Sequence, residues 1–316
     1  TGTSVTGSPV VTTSYTVTGT TAGCTSTAVA TITIGGSITP TVNSPTICAG
    51  QTATLTAGAA TTYSWTAGLS STTGTSVTGS PATTTSYTVT GTSGGCTGTA
   101  VATITVNPLP TITVPAIAIC AGTPGTLTAS GASTYSWAPG TGLSATTGTS
   151  VTANPVGTTT YTVTGTAASG CTNTTTVVVT VNPLPTVTVP PLTICAGLSG
   201  LLTASGASTY TWAPAGGLSA TTGTSVTANP AATTTYTVTG TTAAGCTNTT
   251  TVIVTVNPLP VLSVSPITIC TGIAGSLTVS GANTYSWSPA GGLSATTGAT
   301  VTANPSSTTT YTVVGT

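Results

Sequence analysis

A stretch that ends in Tyr-x-Trp recurs four times along the chain and sets its period. The tryptophan of each copy lies 17 residues after a cysteine, and successive tryptophans are 72, 75 and 75 residues apart. The four pairs are Cys48 with Trp65, Cys120 with Trp137, Cys195 with Trp212, and Cys270 with Trp287. A constant period indicates a repeat architecture, so the fold of one repeat determines the fold of the chain.

The period divides the 316 residues into five parts. Residues 36–106, 107–181 and 182–256 are predicted to be complete repeats. Residues 1–35 match the C-terminal part of a repeat, and residues 257–316 match a truncated one. We therefore expect the sequence to be a window on a longer protein.

Proline marks most of the junctions between repeats. Asn-Pro-Leu-Pro occurs at 107–110, 182–185 and 257–260, whereas the junction at 35–40 reads Gly-Gly-Ser-Ile-Thr-Pro. Because proline fixes its own φ and biases the preceding residue towards extended conformations, the Asn-Pro-Leu-Pro junctions should be short and stiff. The Gly-Gly junction should be softer.

Within a repeat, apolar residues alternate with Thr and Ser at a period of two, which predicts strands. Gly, Pro and Asn separate these segments, as turns require. In the repeat at 107–181 the predicted strands are Thr111–Val114, Ala116–Ile119, Thr126–Ser130, Thr134–Ala138, Ser150–Ala153, Thr158–Thr166 and Thr172–Val181. About seven short strands and one tryptophan in 75 residues predict an all-β chain: a tandem array of immunoglobulin-like β-sandwich repeats of about 75 residues.

The tryptophan of each repeat is expected to lie in the sandwich core. The alternative is an exposed aromatic platform on which a sugar could stack. The core position is favoured because a binding tryptophan would not usually recur at the same strand of every repeat. The predicted core residues are Trp65, Trp137, Trp212 and Trp287.

The chain contains no Lys, Arg, Asp, Glu or His. General acid–base catalysis and the Ser-His-Asp and Cys-His arrangements therefore have no residues to use. We expect no enzyme activity. No basic patch can neutralise phosphates, so nucleic acid is not an expected partner. No Cys-x-x-Cys occurs and His is absent, so we expect no zinc site, no catalytic thiol and no cofactor.

Apolar residues make up 38% of the sequence, but threonine interrupts every Val/Ile cluster. No run of 18 apolar residues exists, so we expect no membrane span in this segment. Eight regularly spaced cysteines predict disulfides and hence an oxidising compartment.

The cysteines fall into two kinds, and two pairing schemes are open. One kind lies in Ile-Cys-(Ala/Thr)-Gly and the other in Gly-Cys-Thr. The first scheme closes each repeat on itself: Cys48–Cys96, Cys120–Cys171 and Cys195–Cys246. The second ties one repeat to the next: Cys48–Cys171 and Cys120–Cys246. The eight disulfide candidates are Cys24, Cys48, Cys96, Cys120, Cys171, Cys195, Cys246 and Cys270.

The first scheme is the default. However, the two kinds of cysteine would lie at opposite ends of an immunoglobulin-like sandwich, and a disulfide needs Cα atoms within about 7 Å. Neither scheme matches the usual immunoglobulin disulfide, because Leu127 and Val163 lie in the segments where its cysteines would be expected.

Two Asn-Thr-Thr sequons begin at Asn173 and Asn248 and are possible N-glycosylation sites. The many Thr and Ser residues could also carry O-linked glycans. The alternative is that threonine serves here as an uncharged strand residue.

Several segments occur in a fixed order: Cys-Ala-Gly, Leu-Thr-Ala-Ser-Gly, Tyr-Ser-Trp-x-Pro, Gly-Leu-Ser-Ala-Thr-Thr-Gly, Gly-Cys-Thr and Val-Thr-Val-Asn-Pro-Leu-Pro. In this order they resemble the Ig-like/PKD-like repeats of very large Bacteroidota cell-surface proteins. These proteins include gliding-motility adhesins that the type IX secretion system exports. The resemblance covers essentially the whole chain. It implies an extracellular array at the cell surface that spaces an adhesive or anchoring region from the cell.

The sequence therefore predicts a structural role in cell adhesion: a stalk or filament segment of a secreted surface adhesin. Its expected partners are the neighbouring repeats, other copies in a filament, and covalent glycans. A self-assembling extracellular filament is the second hypothesis, since no charged residue guards the sheet edges. A carbohydrate-binding module is the third, and it would require exposed aromatic residues.

Overall fold

A computed structural model of the chain describes residues 2–316, which contain strands and no helix. The chain divides into two compact units, with the boundary between Val181 and Asn182. Among the described residues, no helix is long and apolar enough to cross a membrane. The fold is all-β, and the repeats form a tandem array of immunoglobulin-like β-sandwiches.

The N-terminal part is an antiparallel hairpin of two strands, β1 (Thr13–Thr21) and β2 (Cys24–Ile32). The next repeat contains seven strands. They are β3 (Thr41–Val42), β4 (Thr46–Cys48), β5 (Ala53–Gly58), β6 (Thr62–Trp65), β7 (Ser76–Gly79), β8 (Thr85–Ser93) and β9 (Cys96–Asn107).

The two repeats that follow have six strands each and closely matching bounds. In the first they are β10 (Ile117–Cys120), β11 (Gly125–Thr128), β12 (Thr134–Ala138), β13 (Ser150–Ala153), β14 (Thr159–Thr166) and β15 (Thr172–Asn182). In the second they are β16 (Leu192–Cys195), β17 (Gly200–Thr203), β18 (Thr209–Ala213), β19 (Ser225–Ala228), β20 (Thr234–Thr241) and β21 (Thr247–Asn257). Residues 257–316 contain β22 (Ser263–Val264), β23 (Gly275–Ser280), β24 (Tyr285–Ser288), β25 (Thr300–Ala303) and β26 (Thr312–Gly315).

Each six-stranded repeat places four strands in one sheet and two in the other. The four-stranded sheets have the orders β10-β15-β14-β12 and β16-β21-β20-β18. The pairs β11-β13 and β17-β19 form the opposing sheets. In each four-stranded sheet the long last strand, β15 or β21, therefore has two neighbours. One is the short first strand, β10 or β16, and the other is the penultimate strand, β14 or β20.

The alternation of apolar residues with Thr and Ser produces the core, because it aims one set of side chains between the sheets. In the repeat at 107–181, Leu127, Tyr161, Val163 and Val179 are fully buried, and Trp137 is 3% exposed. Leu127 and Val163 fill the segments where an ordinary immunoglobulin domain has its disulfide. The core is therefore closed by aliphatic packing around one tryptophan.

In the repeat at 107–181 the polar atoms of the buried aromatic residues Tyr135, Trp137 and Tyr161 have backbone partners. Trp137 Nε1 donates to the carbonyl of Gly148 at 2.9 Å. The Tyr135 hydroxyl donates to the carbonyl of Ala132 at 2.9 Å and accepts from the amide of the same residue at 2.7 Å. Buried polar groups without partners would destabilise the repeat, so these bonds let the aromatic residues enter the core.

Gly165 in β14 allows the residues after the junction to pack closely against the sheet. A Cβ atom there would lie 2.8 Å from Cδ1 of Ile112 and 2.8 Å from Cβ of Ala132. Only glycine lets Ile112, the second residue after the Asn-Pro-Leu-Pro junction, contact the strand so closely. The junction is therefore packed onto the following repeat.

The predicted strand Thr111–Val114 is wrong. Thr113 makes only an isolated bridge to Ser130. Pro110 and Pro115 flank this segment and cannot donate hydrogen bonds, which limits pairing. The next predicted strand, Ala116–Ile119, is shifted by one residue to Ile117–Cys120 and so ends at the cysteine.

Replacing Leu127 by alanine should destabilise the repeat at 107–181 by about 2–5 kcal/mol, because the side chain is fully buried. The matched control is Thr126→Ala on the outward face of the same strand, expected within about 0.5 kcal/mol. Hydrogen exchange followed by mass spectrometry measures the change on peptides from this repeat. Equal effects of the two substitutions would contradict the assigned faces of β11.

Candidate functional site

The site begins with a parallel strand pair, β4 with β9 in one repeat and β16 with β21 in another. β4 runs parallel to β9, with Thr46 opposite Thr105, Ile47 opposite Val106, and Cys48 opposite Asn107. The amide of Ala49 then donates to the carbonyl of Asn107 at 2.9 Å. Because the two strands run in the same direction, the cysteine that ends the first strand lies beside Asn107, the first residue of the Asn-Pro-Leu-Pro junction.

The second cysteine of the site comes from the next repeat. Cys171 precedes β15, is 1% exposed, and has its Sγ 4.0 Å from the carbonyl oxygen of Asn107. Cys48 and Cys171 form a disulfide with a Cα–Cα distance of 5.6 Å and a sequence separation of 123 residues. This bond joins the repeat at 36–106 to the repeat at 107–181 across the Asn-Pro-Leu-Pro junction.

The structure excludes the default scheme of pairing within each repeat. Cys48–Cys96 and Cys120–Cys171 are not formed, since Cys48 and Cys171 bond each other. Cys195–Cys246 is not formed because Cys195 is a thiol. The physical reason is that the two kinds of cysteine lie at opposite ends of one sandwich and meet only across a junction.

Cys120 and Cys246 each take part in a disulfide. Cys246 Sγ lies 3.9 Å from the carbonyl oxygen of Asn182, which matches the position of Cys171 beside Asn107. The specific pair Cys120–Cys246 stays a prediction of the second scheme.

Four of the disulfide candidates are thiols: Cys24, Cys96, Cys195 and Cys270. Cys195 lies opposite Asn257 in the parallel pair β16-β21, as Cys48 lies opposite Asn107. Cys96 packs against Gly35 so closely that a Cβ on that glycine would overlap its sulfur. Cys195 thus occupies the position that corresponds to Cys48, and Cys96 the position that corresponds to Cys171.

Asn173 and Asn248, the two sequon residues, support the junctions. Asn173 Nδ2 donates to the carbonyl of Pro110 at 3.0 Å, and Asn248 Nδ2 donates to that of Pro185 at 3.0 Å. In the repeat after the Gly-Gly junction, Gly98 takes this position, and the carbonyl of Ile38 packs directly against it. Repeats that follow an Asn-Pro-Leu-Pro junction therefore have asparagine at this strand position, and the repeat that follows the Gly-Gly junction has glycine. The sequence analysis did not predict this correspondence. N-glycosylation at these asparagines stays a prediction.

The tryptophans offer no platform for a sugar. Trp65, Trp137, Trp212 and Trp287 are 3–5% exposed. Among the described residues, every buried side-chain nitrogen or oxygen has a hydrogen-bond partner. Burial raises the pKa of Tyr161 and of Tyr236, whose hydroxyls donate to backbone carbonyls. The thiols and disulfides are therefore the groups in the chain with the most reactive side-chain chemistry.

Residues 184–258 match the family of the Ig-like domain described as CHU_C associated. This match identifies the repeat at 182–256 as Ig-like, in agreement with its strand order. Among curated protein sequences, none matches the chain.

Solved structures of tandem immunoglobulin domains and of bacterial adhesins are similar to the chain at low identity. The I67–I69 fragment of titin is 12% identical with a TM-score of 0.37, covering 69% of this chain and 98% of that one. A Ca²⁺-stabilised ice-binding adhesin of an Antarctic bacterium is 21% identical with a TM-score of 0.33, covering 78% and 82%. A 1.5-MDa bacterial ice-binding adhesin is 18% identical with a TM-score of 0.31, covering 71% and 100%.

Peptide mapping of the non-reduced protein should give a linked peptide that contains Cys48 and Cys171. Thermolysin is suitable, because the chain has no Lys or Arg for trypsin to cleave. A peptide that links Cys120 to Cys171 would contradict the site, whereas a Cys120–Cys246 peptide would establish the second predicted pair.

The free energy of unfolding should be constant between about pH 5 and 8, because no side chain with an ordinary pKa in that range is present. Above about pH 10 it should fall, because the unfolded state loses phenolic protons that folded Tyr161 and Tyr236 still hold. Urea unfolding at several pH values measures both ranges. A slope between pH 5 and 8 would contradict the expectation.

Proposed function

We propose that the chain is a stalk segment of a secreted adhesin at the bacterial cell surface, and that its function is mechanical reach. The observation that carries the proposal is the Cys48–Cys171 disulfide between consecutive repeats. Such a bond is not needed to close a sandwich core that Leu127 and Val163 already fill. It constrains the junction, which is the point where a chain of domains bends.

Three contacts act together at this junction. The disulfide connects β4 to the residue before β15, the Asn173 amide donates to the carbonyl of Pro110, and Ile112 packs against Gly165. They act at successive points of the chain, at Asn107, Pro110 and Ile112. Together they oppose rotation of one repeat relative to the next. In the chain-entropy model, a disulfide that closes a loop of this size contributes roughly 5 kcal/mol.

The disulfide also limits how far the chain can be extended under load. The force enters at one cysteine and leaves at the other, so the 123 residues of separation between them carry none of it. When a repeat of such a stalk unfolds, the stalk lengthens by less than the contour length of that repeat, because the disulfide still holds its two cysteines together. This property suits a tether between a cell and a distant surface.

The surface supports an extracellular location. Strands present Thr and Ser outward, for example at Thr126 and Ser136, and no charge is available to titrate or to be screened by salt. Disulfides persist in oxidising compartments outside the cytosol. Export by the type IX system and a role in gliding motility belong to the same proposal, as do covalent glycans on the Thr/Ser surface. Neighbouring repeats are the proposed partners within the chain, and no nucleic acid or cofactor is invoked.

A self-assembling filament is the second candidate, and exposed aliphatic residues on the outward sheet face favour it. Val101 in β9 is 61% exposed, Val178 in β15 is 39% exposed, and Ile253 in β21 is 50% exposed. Electron microscopy separates the candidates. Single beaded threads support the stalk, and thick fibres of regular cross-section support assembly.

Pulling single molecules from both ends tests the stalk. Reduction should lengthen the fully unfolded contour by at least about 400 Å, the extended length of the residues between Cys48 and Cys171. The matched control replaces Cys48, Cys120, Cys171 and Cys246 by serine, and its contour length should not respond to reductant. Equal contour lengths for the oxidised and reduced protein would contradict the stalk.

A further inference from the structure

The sheet edges of the repeat at 107–181 are covered although the chain has no charged residue. Strand β12 is an edge strand of the four-stranded sheet, and β13 is an edge strand of the two-stranded sheet. An open edge presents backbone groups that can pair with another chain, and natural proteins often guard such edges with charges, especially lysine. Lys, Arg, Asp and Glu are absent here, so the edges depend on another kind of cover.

Residues 139–148, which we call the strap, lie between β12 and β13 and cover the edge of β12. The amide of Trp137 donates to the carbonyl of Thr146 at 2.8 Å. The amide of Gly148 donates to the carbonyl of Tyr135 at 3.2 Å. Alternate residues of a strand pair in opposite directions, so these groups lie on the side of β12 that faces away from β14. The strap therefore occupies the hydrogen-bonding positions that a further strand would use.

The strap also covers the edge of β13 in the other sheet. The amide of Ser144 donates to the carbonyl of Thr152 at 2.9 Å, and the hydroxyl of Ser144 accepts from the amide of Thr152 at 3.0 Å. The amide of Asn154 donates to the carbonyl of Gly142 at 2.7 Å. One short segment therefore closes the same side of both sheets.

Core side chains hold the strap in place from beneath. Trp137 Nε1 donates to the carbonyl of Gly148 at 2.9 Å, and the hydroxyl of Tyr161 donates to the carbonyl of Thr141 at 2.9 Å. Leu143 is half-buried and packs against the core of the repeat. The closed position of the strap is therefore coupled to the packing of the sandwich.

The two remaining edge strands are blunted in other ways. β10 has only four residues and closely follows Pro115. Beside β11, Ser130 exchanges two backbone hydrogen bonds with Thr113, each of 3.0 Å. Short edge strands and proline are devices that limit pairing between chains. The bond from the tryptophan amide to the strap recurs at 2.8 Å in the other repeats that contain a tryptophan: Trp65 to Thr72, Trp212 to Thr221, and Trp287 to Thr296.

Strand β12 of a second copy can replace the hydrogen bonds that the strap makes to β12. If two β12 strands lie antiparallel with Ser136 opposite Ser136, the Tyr135 carbonyl of the second copy takes the position of the Thr146 carbonyl. The Trp137 amide of that copy takes the position of the Gly148 amide. The pair is symmetric, so each copy makes the same two bonds. No charge on either copy opposes this pairing.

We propose that the strap is an edge guard that keeps copies of this chain apart, and that β12 of a second copy pairs with β12 when the strap opens. The strap thereby does by hydrogen bonding what charged residues do at the sheet edges of other proteins. The proposal goes beyond the stalk function and does not depend on it. It concerns the side of a sandwich and not the Cys48–Cys171 bond.

Two glycine substitutions test the strap in the whole chain. Gly142 has a φ of +78°, and a Cβ there would lie 2.7 Å from Cα of Pro155, so Gly142→Val displaces the strap. Nothing lies within 4 Å of a Cβ added at Gly157, so Gly157→Val is the matched control. Sedimentation should show at least about tenfold more dimer for Gly142→Val than for the unchanged chain, because losing several hydrogen bonds raises the open population. Gly157→Val should behave as the unchanged chain does.

Hydrogen exchange checks that the dimers arise from an open strap. The peptide that contains Tyr135 and Trp137 should exchange faster in Gly142→Val than in Gly157→Val, at concentrations where both variants are monomers. Faster exchange without dimers at higher concentration would overturn the pairing. Equal exchange in the two variants would overturn the strap as the cover of β12, and equal dimerisation of the unchanged chain would overturn the guard.

A lysine on β12 separates edge pairing from aggregation of an unfolded repeat. Ser136→Lys combined with Gly142→Val places two lysines opposite each other in the proposed pair, which should reduce the dimers at least about tenfold, since like charges directly opposite destabilise a sheet. Thr160→Lys combined with Gly142→Val adds the same charge to the exposed face of the central strand β14, and the dimers should persist. Dimers that survive Ser136→Lys, or that both lysines remove equally, would overturn β12 as the pairing edge.

Discussion

The parallel pairing of a short first strand with the long last strand is the interaction on which the junction depends. It brings Cys48 beside Asn107, at the end of the sandwich that faces the next repeat. An antiparallel partner would place the cysteine at the opposite end. The Cys48–Cys171 bond between the two repeats depends on this strand direction.

The absence of charged residues determines how every other contact is made. Without ion pairs, backbone carbonyls accept the hydrogen bonds that fix buried aromatic and junction asparagine side chains, as Gly148 does for Trp137 and Pro110 does for Asn173. Neutral bonds of this kind contribute about 1 kcal/mol each and are not weakened by salt. The Cys48–Cys171 disulfide adds to them where the repeats at 36–106 and 107–181 meet. The array is therefore held by interactions that do not respond to ordinary changes of pH or ionic strength.

Much of this architecture follows from the sequence, because a period of two shows which face of each strand is buried. The strand Thr134–Ala138 and its tryptophan were predictable for that reason. The sequence left two disulfide schemes open, since alternation gives the face of a strand but not the direction of its partner, and the structure forms the Cys48–Cys171 pair of the second scheme. The contact of Asn173 with Pro110 spans 63 residues and leaves no local signal. The segment Thr111–Val114 looked like a strand because its alternation outweighed the effect of two flanking prolines.

Whether the disulfide holds two repeats in one orientation can be measured directly. Spin labels carried by non-natural amino acids can replace Ala82 and Gly157, which are exposed and occupy equivalent loops of consecutive repeats. Pulsed electron paramagnetic resonance then gives the distribution of distances between the labels. A narrow distribution in the oxidised protein that broadens on reduction is the predicted result. An equally broad distribution in both states would contradict a rigid junction.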